Sequence, residues 1–183
     1  MGEIKQASPV KLFCGLIFAD ISILNYVREE LTKKFGEIDG EFGPIPFDWT
    51  DYYEAEMGGN LQKMFLSFAR LIDPSEIKDI KIITNRIEEL FCVDGIKRRV
   101  NIDPGYITPA KLVLATTKDF SHRIYIGEGI YAEVTLNFAK NGFISYSWSY
   151  PDYKSGKYDE FFRSMRKKLM EQEKHNKEKE KNS

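Results

Sequence analysis

The feature that most restricts the fold of this chain is a continuous apolar run near its start. Residues 10–19, VKLFCGLIFA, are apolar after Lys11, and such a run predicts a β-strand that is buried on both faces. The run is shorter than the ~20 apolar residues that a membrane-spanning helix needs. It also lacks the basic leader and the small-residue cleavage site of a signal peptide, so we expect a cytosolic protein with no membrane partner.

The segments that follow this run predict a helix and then two strands. Asp20 and Ser22 are candidate helix caps, and an apolar stripe with helical spacing comes after them: Leu24, Val27, Leu31 and Phe35. Residues 37–47 are rich in glycine and proline and predict a loop. Residues 47–57 and 61–72, FDWTDYYEAEM and LQKMFLSFARLI, predict a hairpin whose strands are joined by Gly58-Gly59.

A strong helix start comes next. Asp73-Pro74-Ser75-Glu76 combines an N-cap residue, a proline at the first helical position and a carboxylate in the first turn. An apolar stripe with helical spacing follows it, and KRRVNI at residues 97–102 predicts another strand. The resulting order is strand, helix, strand, strand, helix, strand, which is that of a ferredoxin-like βαββαβ unit.

The second half of the chain predicts an antiparallel β-meander that is closed by a C-terminal helix. Strand-like runs lie at residues 111–117, 122–127, 130–138 and 143–148, with turn signals at Gly127-Glu128-Gly129 and Asn141-Gly142. Period-two alternation predicts that one face of the third run carries Ile130, Ala132, Val134, Leu136 and Phe138. The last helix is predicted to begin near Tyr158, with an inward face made of Phe161, Phe162, Met165 and Leu169.

These elements predict one α+β domain at residues 9–170. Residues 1–8 are expected to be disordered, and residues 171–183, which contain no apolar side chain, are expected to form a flexible charged tail. Hydrophobic residues make up 42% of the chain, which is enough for a sizeable core. The 27 basic residues nearly balance the 28 acidic ones, so the overall charge does not favour nucleic acid, although a local patch could still bind it.

The two cysteines do not predict a metal centre. Cys14 and Cys92 stand alone in apolar surroundings, without the CxxC spacing of a thiolate zinc site. In a reducing compartment we expect buried thiols rather than a disulfide.

A dense polar cluster at residues 116–123 is the best candidate site. Three donor types lie close together in it, because Lys118 and Arg123 can hold an anion and His122 can transfer a proton near neutral pH. Thr116, Thr117 and Asp119 complete the cluster. The alternative is an ordinary connection in which Asp119 caps or pairs with Arg123, while His122 packs at the edge of that connection.

Two carboxylates outside this cluster are further candidates. Asp103-Pro104-Gly105-Tyr106 predicts a turn. In the alternative interpretation, Asp103 is a general base or a Mg²⁺ ligand at the end of a strand. Glu133 is either an ordinary surface residue or a second acid/base or Mg²⁺ candidate beside Asp103. We include Tyr106 among the candidate ligand-binding residues. The sequence does not identify a metal.

Two other motifs have simpler structural explanations. Gly127-x-Gly129-x-x-Ala132 has the letters of the dinucleotide-binding fingerprint, but a strand-like run follows it instead of a helix, so it predicts a hairpin turn. The alternation in SYSWSYPDY predicts that Tyr146, Trp148 and Tyr150 share one face of a strand. Such a face can stack bases, and without a basic groove it is more typical of a core or of a protein interface.

Several segments resemble the family catalogued as domain of unknown function 4416. They are PVKLFCGLIFAD, TDYYEAEMG, VNIDPGYITPAKLVLATTKDFSHRIYIGEGIYAEVTL and YPDY, and the similarity extends from about Pro9 to the last helix. The resemblance implies a small, stand-alone cytosolic protein of prokaryotes, and it brings no catalytic residue with it.

Two functions therefore follow from the residues alone. In the first, the chain is a small enzyme or binding protein for an anionic ligand that carries a phosphate or resembles a nucleotide. Its candidate catalytic residues are His122, Asp103 and Glu133, and its candidate ligand-binding residues are Lys118, Arg123, Thr116, Thr117, Asp119 and Tyr106. In the second, it is a non-catalytic module that binds a protein or RNA through an aromatic sheet face. The sequence does not decide between enzyme and binding protein, and it leaves the oligomeric state open.

Overall fold

A computed structural model describes residues 2–94, 97–140 and 142–181 of the chain. Within these ranges the chain forms eight strands: β1 Val10–Phe18, β2 Ile38–Pro46, β3 Gln62–Ile72, β4 Val100–Ile107, β5 Lys111–Thr116, β6 Ile124–Gly127, β7 Ile130–Ala139 and β8 Gly142–Ser145. The same ranges contain five α-helices: α1 Leu24–Phe35, α2 Glu54–Met57, α3 Ile77–Leu90, α4 Pro151–Lys154 and α5 Asp159–Lys181. Helix α5 thus continues into the charged tail.

All eight strands belong to one antiparallel sheet. Its order is β2-β3-β1-β4-β5-β7-β6, and β8 pairs with the end of β7 that β6 leaves open. Strand β1 lies inside the sheet, between β3 and β4, and every one of its residues is buried. The predicted strand with two buried faces is confirmed, and the mixed α and β composition is confirmed with it.

Helices cover both faces of the sheet. Helices α1 and α3 pack on one face, where the core joins alternate residues of β1 to the helices: Leu12, Cys14, Leu16, Val27, Leu31, Phe35, Ile80 and Ile87. Helix α5 packs on the opposite face, where all four residues of its predicted inward stripe are buried with Phe13 and Phe65. Because β1 alternates between these two cores, its sequence is apolar at every position except Lys11.

The predicted capping of α3 is confirmed. The Asp73 side chain accepts a hydrogen bond from the Ser75 N–H at 2.8 Å, and the Glu76 side chain accepts one from the Asp73 N–H at 2.8 Å. These bonds form around a short 3₁₀ turn that leads into the helix. They satisfy N–H groups that have no partner inside the helix.

Two predictions for residues 37–57 are wrong. Residues 37–47 were expected to form a loop, whereas Ile38–Pro46 is β2, which pairs with β3. The aromatic run at residues 47–57 was expected to form a strand, but it forms a connection that contains α2. Strand β2 lies at the sheet edge, where prolines are tolerated because one side of the strand needs no N–H donor. Gly58-Gly59 therefore does not join a hairpin.

The predicted face of β7 is also wrong, because the strand contains a bulge. Val134 pairs with Val113 and Leu136 pairs with Leu112, so Thr135 is an extra residue. The alternation reverses at that point, and Ile130 packs with the core of α1 and α3 while Leu136 packs with the core of α5. The turn predicted between β6 and β7 at Gly127-Glu128-Gly129 is confirmed; Asn141, in the other predicted turn, lies outside the described residues.

Strands β4 and β5 separate along part of their length. They pair only where Gly105, Tyr106 and Ile107 meet residues 112–114, so the beginning of β4 and the end of β5 diverge. Pairing stops at Pro104, which has no N–H to donate. Asp103-Pro104-Gly105-Tyr106 therefore lies within a strand, and the predicted turn is wrong. Gly105 is required by packing, since a Cβ there would lie 2.5 Å from the Val113 carbonyl oxygen and 2.6 Å from Phe13.

Candidate functional site

A cavity of about 460 Å³ opens where β4 and β5 separate. Its lining comes from residues 47–53, from α3, from the diverging ends of β4 and β5, from β7 and from residues 150–153. The volume falls in the ~300–1,000 Å³ range of pockets that hold small molecules. The polar side chains in this cavity fall into three groups.

The first group surrounds Lys63, a buried lysine that lines the cavity. The residue is 3% exposed, and its Nζ lies 5.2–5.7 Å from the ring centres of Phe65, Phe47 and Tyr153. The Asp152 Oδ2 atom is 3.9 Å away, too far for a hydrogen bond. Among the described residues no acceptor lies within hydrogen-bond distance of this ammonium group. A buried charge of this kind is costly unless something bonds to it.

The second group lies on β4 and α3. The Asn101 Nδ2 donates to Asp103 Oδ2 at 2.7 Å, and Lys81 Nζ lies 3.5 Å from Asp103 Oδ1 while it donates to the Ile102 carbonyl at 2.8 Å. Beneath them the buried Glu88 accepts the Ile102 N–H at 2.6 Å. Burial raises the pKa of the Glu88 carboxyl above its ordinary value, against the opposing effects of Lys81 and the Ile102 N–H. Asp103 keeps a partly exposed side chain at the cavity wall.

The third group is built around Glu133 on β7. Its side chain is 1% exposed and accepts hydrogen bonds from Arg123 Nε at 2.7 Å and Thr135 Oγ1 at 3.1 Å. His122 Nε2 lies 3.1 Å from the same carboxylate. Arg123 also donates to the Lys118 carbonyl and to the Tyr150 hydroxyl, at 2.9 and 2.8 Å. Arg123 is thus occupied by partners within the protein.

Aromatic side chains cover the cavity. Tyr52 and Tyr53 meet edge to face at a centroid distance of 5.0 Å, and Lys118 Nζ lies 3.9 Å above the Tyr52 ring. Burial and the nearby Glu133 carboxylate raise the pKa of Tyr150 to about 12. Two buried donors in this lining, Trp49 Nε1 and the Tyr153 hydroxyl, have no hydrogen-bond partner within the described chain.

The structure brings most of the sequence-predicted residues to the cavity. Its lining includes Asp103, Thr116, Thr117, Lys118 and Glu133. His122 and Arg123 do not line it: His122 contacts the lining residue Glu133, and Arg123 bonds Glu133, Lys118 and Tyr150. Glu133 takes the place of Asp119 as the carboxylate partner of Arg123. Asp119 is exposed, and Tyr106 packs against the core on the opposite face of the sheet.

Sequence reasoning missed Lys63 and Lys81. Each interrupts an apolar pattern, Lys63 within the buried strand LQKMFLSFARLI and Lys81 on the inward stripe of α3. A lysine at such a position is a usable signal, since lysine is rarely fully buried without a partner.

A second aromatic cluster lies on the surface beside His122. The Tyr146 and Trp148 rings are parallel within 2° at a centroid distance of 4.7 Å, and His122 stacks on Trp148 at 5.5 Å. Trp148 is 41% exposed. Strand β8 ends at Ser145, so the predicted strand face is wrong: the stack is formed by a turn, and Tyr150 leaves it to bond Arg123.

Two further properties concern metals and membranes. Within residues 2–94, 97–140 and 142–181, no three His, Cys, Asp or Glu side chains converge as a metal site. No helix in the described part of the chain is long and apolar enough to cross a membrane.

Comparison with known proteins supports one assignment. No curated protein and no solved structure matches the chain. One family does match, over residues 8–169, and this region contains all eight strands and every residue of the three polar groups. The chain therefore belongs to the family described as a domain of unknown function, DUF4416.

Proposed function

We propose that this protein binds an anionic, phosphate-bearing small ligand in the cavity between β4 and β5, as a small enzyme or as a binding protein. The observation that carries the proposal is the buried Lys63 ammonium group, which faces the cavity without a hydrogen bond. An ammonium group has three N–H donors and no acceptor. The oxygens of a bound phosphate would satisfy these donors, which the Asp152 carboxylate at 3.9 Å leaves without a hydrogen bond.

A second lysine at the cavity supports the same ligand class. Lys118 is exposed, and among the described residues no carboxylate lies within 4.0 Å of its Nζ. By contrast, Lys81 has Asp103 beside it, and Arg98 donates to Glu56 at 2.6 Å. Lys63 has the Asp152 carboxylate 3.9 Å away but no hydrogen bond to it, so Lys63 and Lys118 are the lining cations whose N–H donors are left for an anion.

Calorimetric titration and thermal shift on the Lys63→Met variant test the proposal. The titrants are inorganic phosphate, sugar phosphates and nucleotides, with and without Mg²⁺, because one carboxylate such as Asp103 can share that ion with a phosphate. Loss of a hydrogen bond to a charged group costs ~1.5–3 kcal/mol, so we expect affinity to fall about 10- to 100-fold. The control is Lys33→Met, which removes the same charge from the exposed surface of α1, on the other face of the sheet.

The expected change in melting temperature can be calculated. A ligand at a hundred times its Kd stabilises by ~2.7 kcal/mol, and ~2–4 °C per kcal/mol gives a shift of about 5–11 °C. A hundred-fold weaker variant would shift by only about 1–2 °C at the same concentration. If no phosphate-bearing compound shifts the wild-type protein, or if Lys63→Met binds as well as wild type, the proposal fails.

If the protein is an enzyme, Asp103 is the best candidate for its general base. It lines the cavity directly, whereas His122 contacts Glu133 from outside it. Conversion of a bound ligand would then be lost in Asp103→Asn and retained in part in His122→Ala, as measured by product formation. Equal loss in both variants would instead support proton transfer through the pair of Glu133 and His122.

The stack of Tyr146, Trp148 and His122 favours a second candidate function, a module that binds a protein or RNA. Its parallel rings are partly exposed and lie beside the strongly exposed Phe120. In that case Trp148→Ala would abolish capture of the partner, and Lys63→Met would not change it. A wild-type protein that elutes as a monomer, with neither RNA nor protein bound, would contradict this function.

We also infer a ferredoxin-like first half and a cytosolic location. The order β2-β3-β1-β4, with α1 and α3 on one face, supports the first inference. The free thiols of Cys14 and Cys92 support the second, because free thiols persist in reducing compartments. An experimental structure and cell fractionation, respectively, would test them.

A further inference from the structure

We infer that the ligand is a nucleoside 5′-monophosphate, bound with its phosphate at Lys63 and with its hydrogen-bond donors at Asp103; this rests on the function proposed above. The two ends of the cavity differ in chemistry. Lys63 at one end offers donors that the Asp152 carboxylate, 3.9 Å away, does not bond, and Asp103 at the other end offers acceptors. A ligand that satisfies both must carry an anion at one end and N–H or O–H groups at the other.

The phosphate end has a second donor that makes no hydrogen bond within the described chain. The Tyr153 residue is 4% exposed, its hydroxyl has no hydrogen-bond partner in the described chain, and its ring centre lies 5.7 Å from Lys63 Nζ. An ammonium group and a free hydroxyl in one pocket suit a group with several acceptor oxygens, as phosphate has.

The other end accepts hydrogen bonds. A carboxylate has about four acceptor sites, and Asp103 uses one for Asn101 and a second, at 3.5 Å, for Lys81. Its side chain is 29% exposed at the cavity wall, so acceptor sites remain for a ligand. Two neighbouring hydroxyls of a ribose, or the amino edge of a base, supply donors of the required kind.

The distance between the two ends fits a nucleotide. Lys63 pairs with Ile17, which pairs with Asn101, so the three residues form one row across the sheet. The Lys63 side chain reaches along the sheet to Gly15, where a Cβ would lie 3.4 Å from Nζ, and Gly15 pairs with Asp103. Because the Cβ positions of paired residues lie about 5 Å apart, the ammonium group is within about 8–9 Å of the Asp103 Cβ. A nucleoside monophosphate, which extends from its phosphate through a ribose to a base, can bridge such a distance.

The walls between the two ends are apolar and aromatic. Ile17 and Leu114 line the sheet side of the cavity, and Tyr53 and Tyr150 line it from the covering segments. Aromatic walls favour a planar ring, since every base can stack on them. A sugar phosphate or inorganic phosphate would leave these walls without a partner.

Calorimetry with matched ligands tests the inference. The ligands are the four common nucleoside 5′-monophosphates, their nucleosides, ribose 5-phosphate and inorganic phosphate. We expect at least one nucleotide to bind ten-fold or more tightly than both its nucleoside and ribose 5-phosphate. Lys63→Met should reduce the affinity for this nucleotide to that for the nucleoside. Asp103→Asn should weaken the affinities for the nucleotide and for the nucleoside by a similar factor, so the ratio of the two affinities stays the same. Lys33→Met should change neither affinity.

Each outcome separates this inference from the proposed function. If ribose 5-phosphate or inorganic phosphate binds as tightly as every nucleotide, the nucleotide inference is wrong and the anion site stands. If no phosphate-bearing ligand binds, both fail. If Asp103→Asn does not fold, as judged by circular dichroism, Tyr53→Leu replaces it. A base that stacks in the cavity requires this variant to bind both the nucleotide and its nucleoside more weakly. Unchanged affinity for both would overturn the inference.

Discussion

Replacing Arg123 with alanine removes the cation that balances the buried carboxylate of Glu133. The Arg123 side chain is 8% exposed and donates three hydrogen bonds, to Glu133, to the Lys118 carbonyl and to the Tyr150 hydroxyl. In the variant, Glu133 keeps only Thr135 and His122 as partners. Breaking a buried ion pair from one side costs ~3–5 kcal/mol, because the remaining charge is left without compensation.

The size of this loss can be measured by urea unfolding. For a chain of this length ~3–5 kcal/mol corresponds to a fall in Tm of about 6–20 °C. Glu133→Gln should also destabilise the protein, and the double variant should lose less free energy of unfolding than the two single losses added together. We expect a coupling energy of at least ~1.5 kcal/mol for a pair in direct contact.

The control for this experiment is an exposed ion pair of the same type. Arg28 contacts Glu41 with side chains that are 30% and 51% exposed, so Arg28→Ala should cost at most ~1 kcal/mol. A loss of less than about 1 kcal/mol for Arg123→Ala, or additive losses in the cycle, would refute the reasoning. Arg123 would then be free to hold a ligand, as the sequence alone predicted.

Three further predictions concern other buried groups. Lys11 is fully buried and donates to Asp39 at 2.7 Å and to a backbone carbonyl, so Lys11→Met should cost ~3 kcal/mol or more in urea unfolding; a neutral effect would contradict it. Tyr153→Phe removes an unpartnered hydroxyl, so it should stabilise the ligand-free protein by up to ~1 kcal/mol in thermal unfolding and weaken phosphate binding in calorimetry; a destabilised variant with unchanged affinity would be the contrary result. Burial raises the pKa of Glu88, so the folded protein keeps a proton there that the unfolded chain releases. The stability that this proton contributes is complete below the ordinary pKa of 4.5 and is lost as pH rises through the raised pKa. The free energy of unfolding of wild type relative to Glu88→Gln should therefore fall as the pH rises above 4.5, and a constant difference would show that the pKa is not raised.

Short-range patterns were enough to predict most helices and the central strand. The capping sequence at residues 73–76, the apolar stripe of α1 and the continuous run of β1 act through neighbours in the chain, so their effects can be read locally. The errors fell on elements that depend on distant partners. Strand β2 reads as a loop because its glycines and prolines are acceptable only at a sheet edge, and Thr135 forms a bulge only because β5 sets the register.

The candidate site shows the same division. The sequence by itself located Asp103, Lys118 and Glu133, because polar residues next to predicted strands are visible as a local pattern. It could not show that β4 and β5 separate, that Arg123 is hydrogen-bonded to Glu133, or that Lys63 faces the resulting cavity. Only the tertiary structure decided these points, because strand pairing and burial determine which charges have partners and which are left for a ligand.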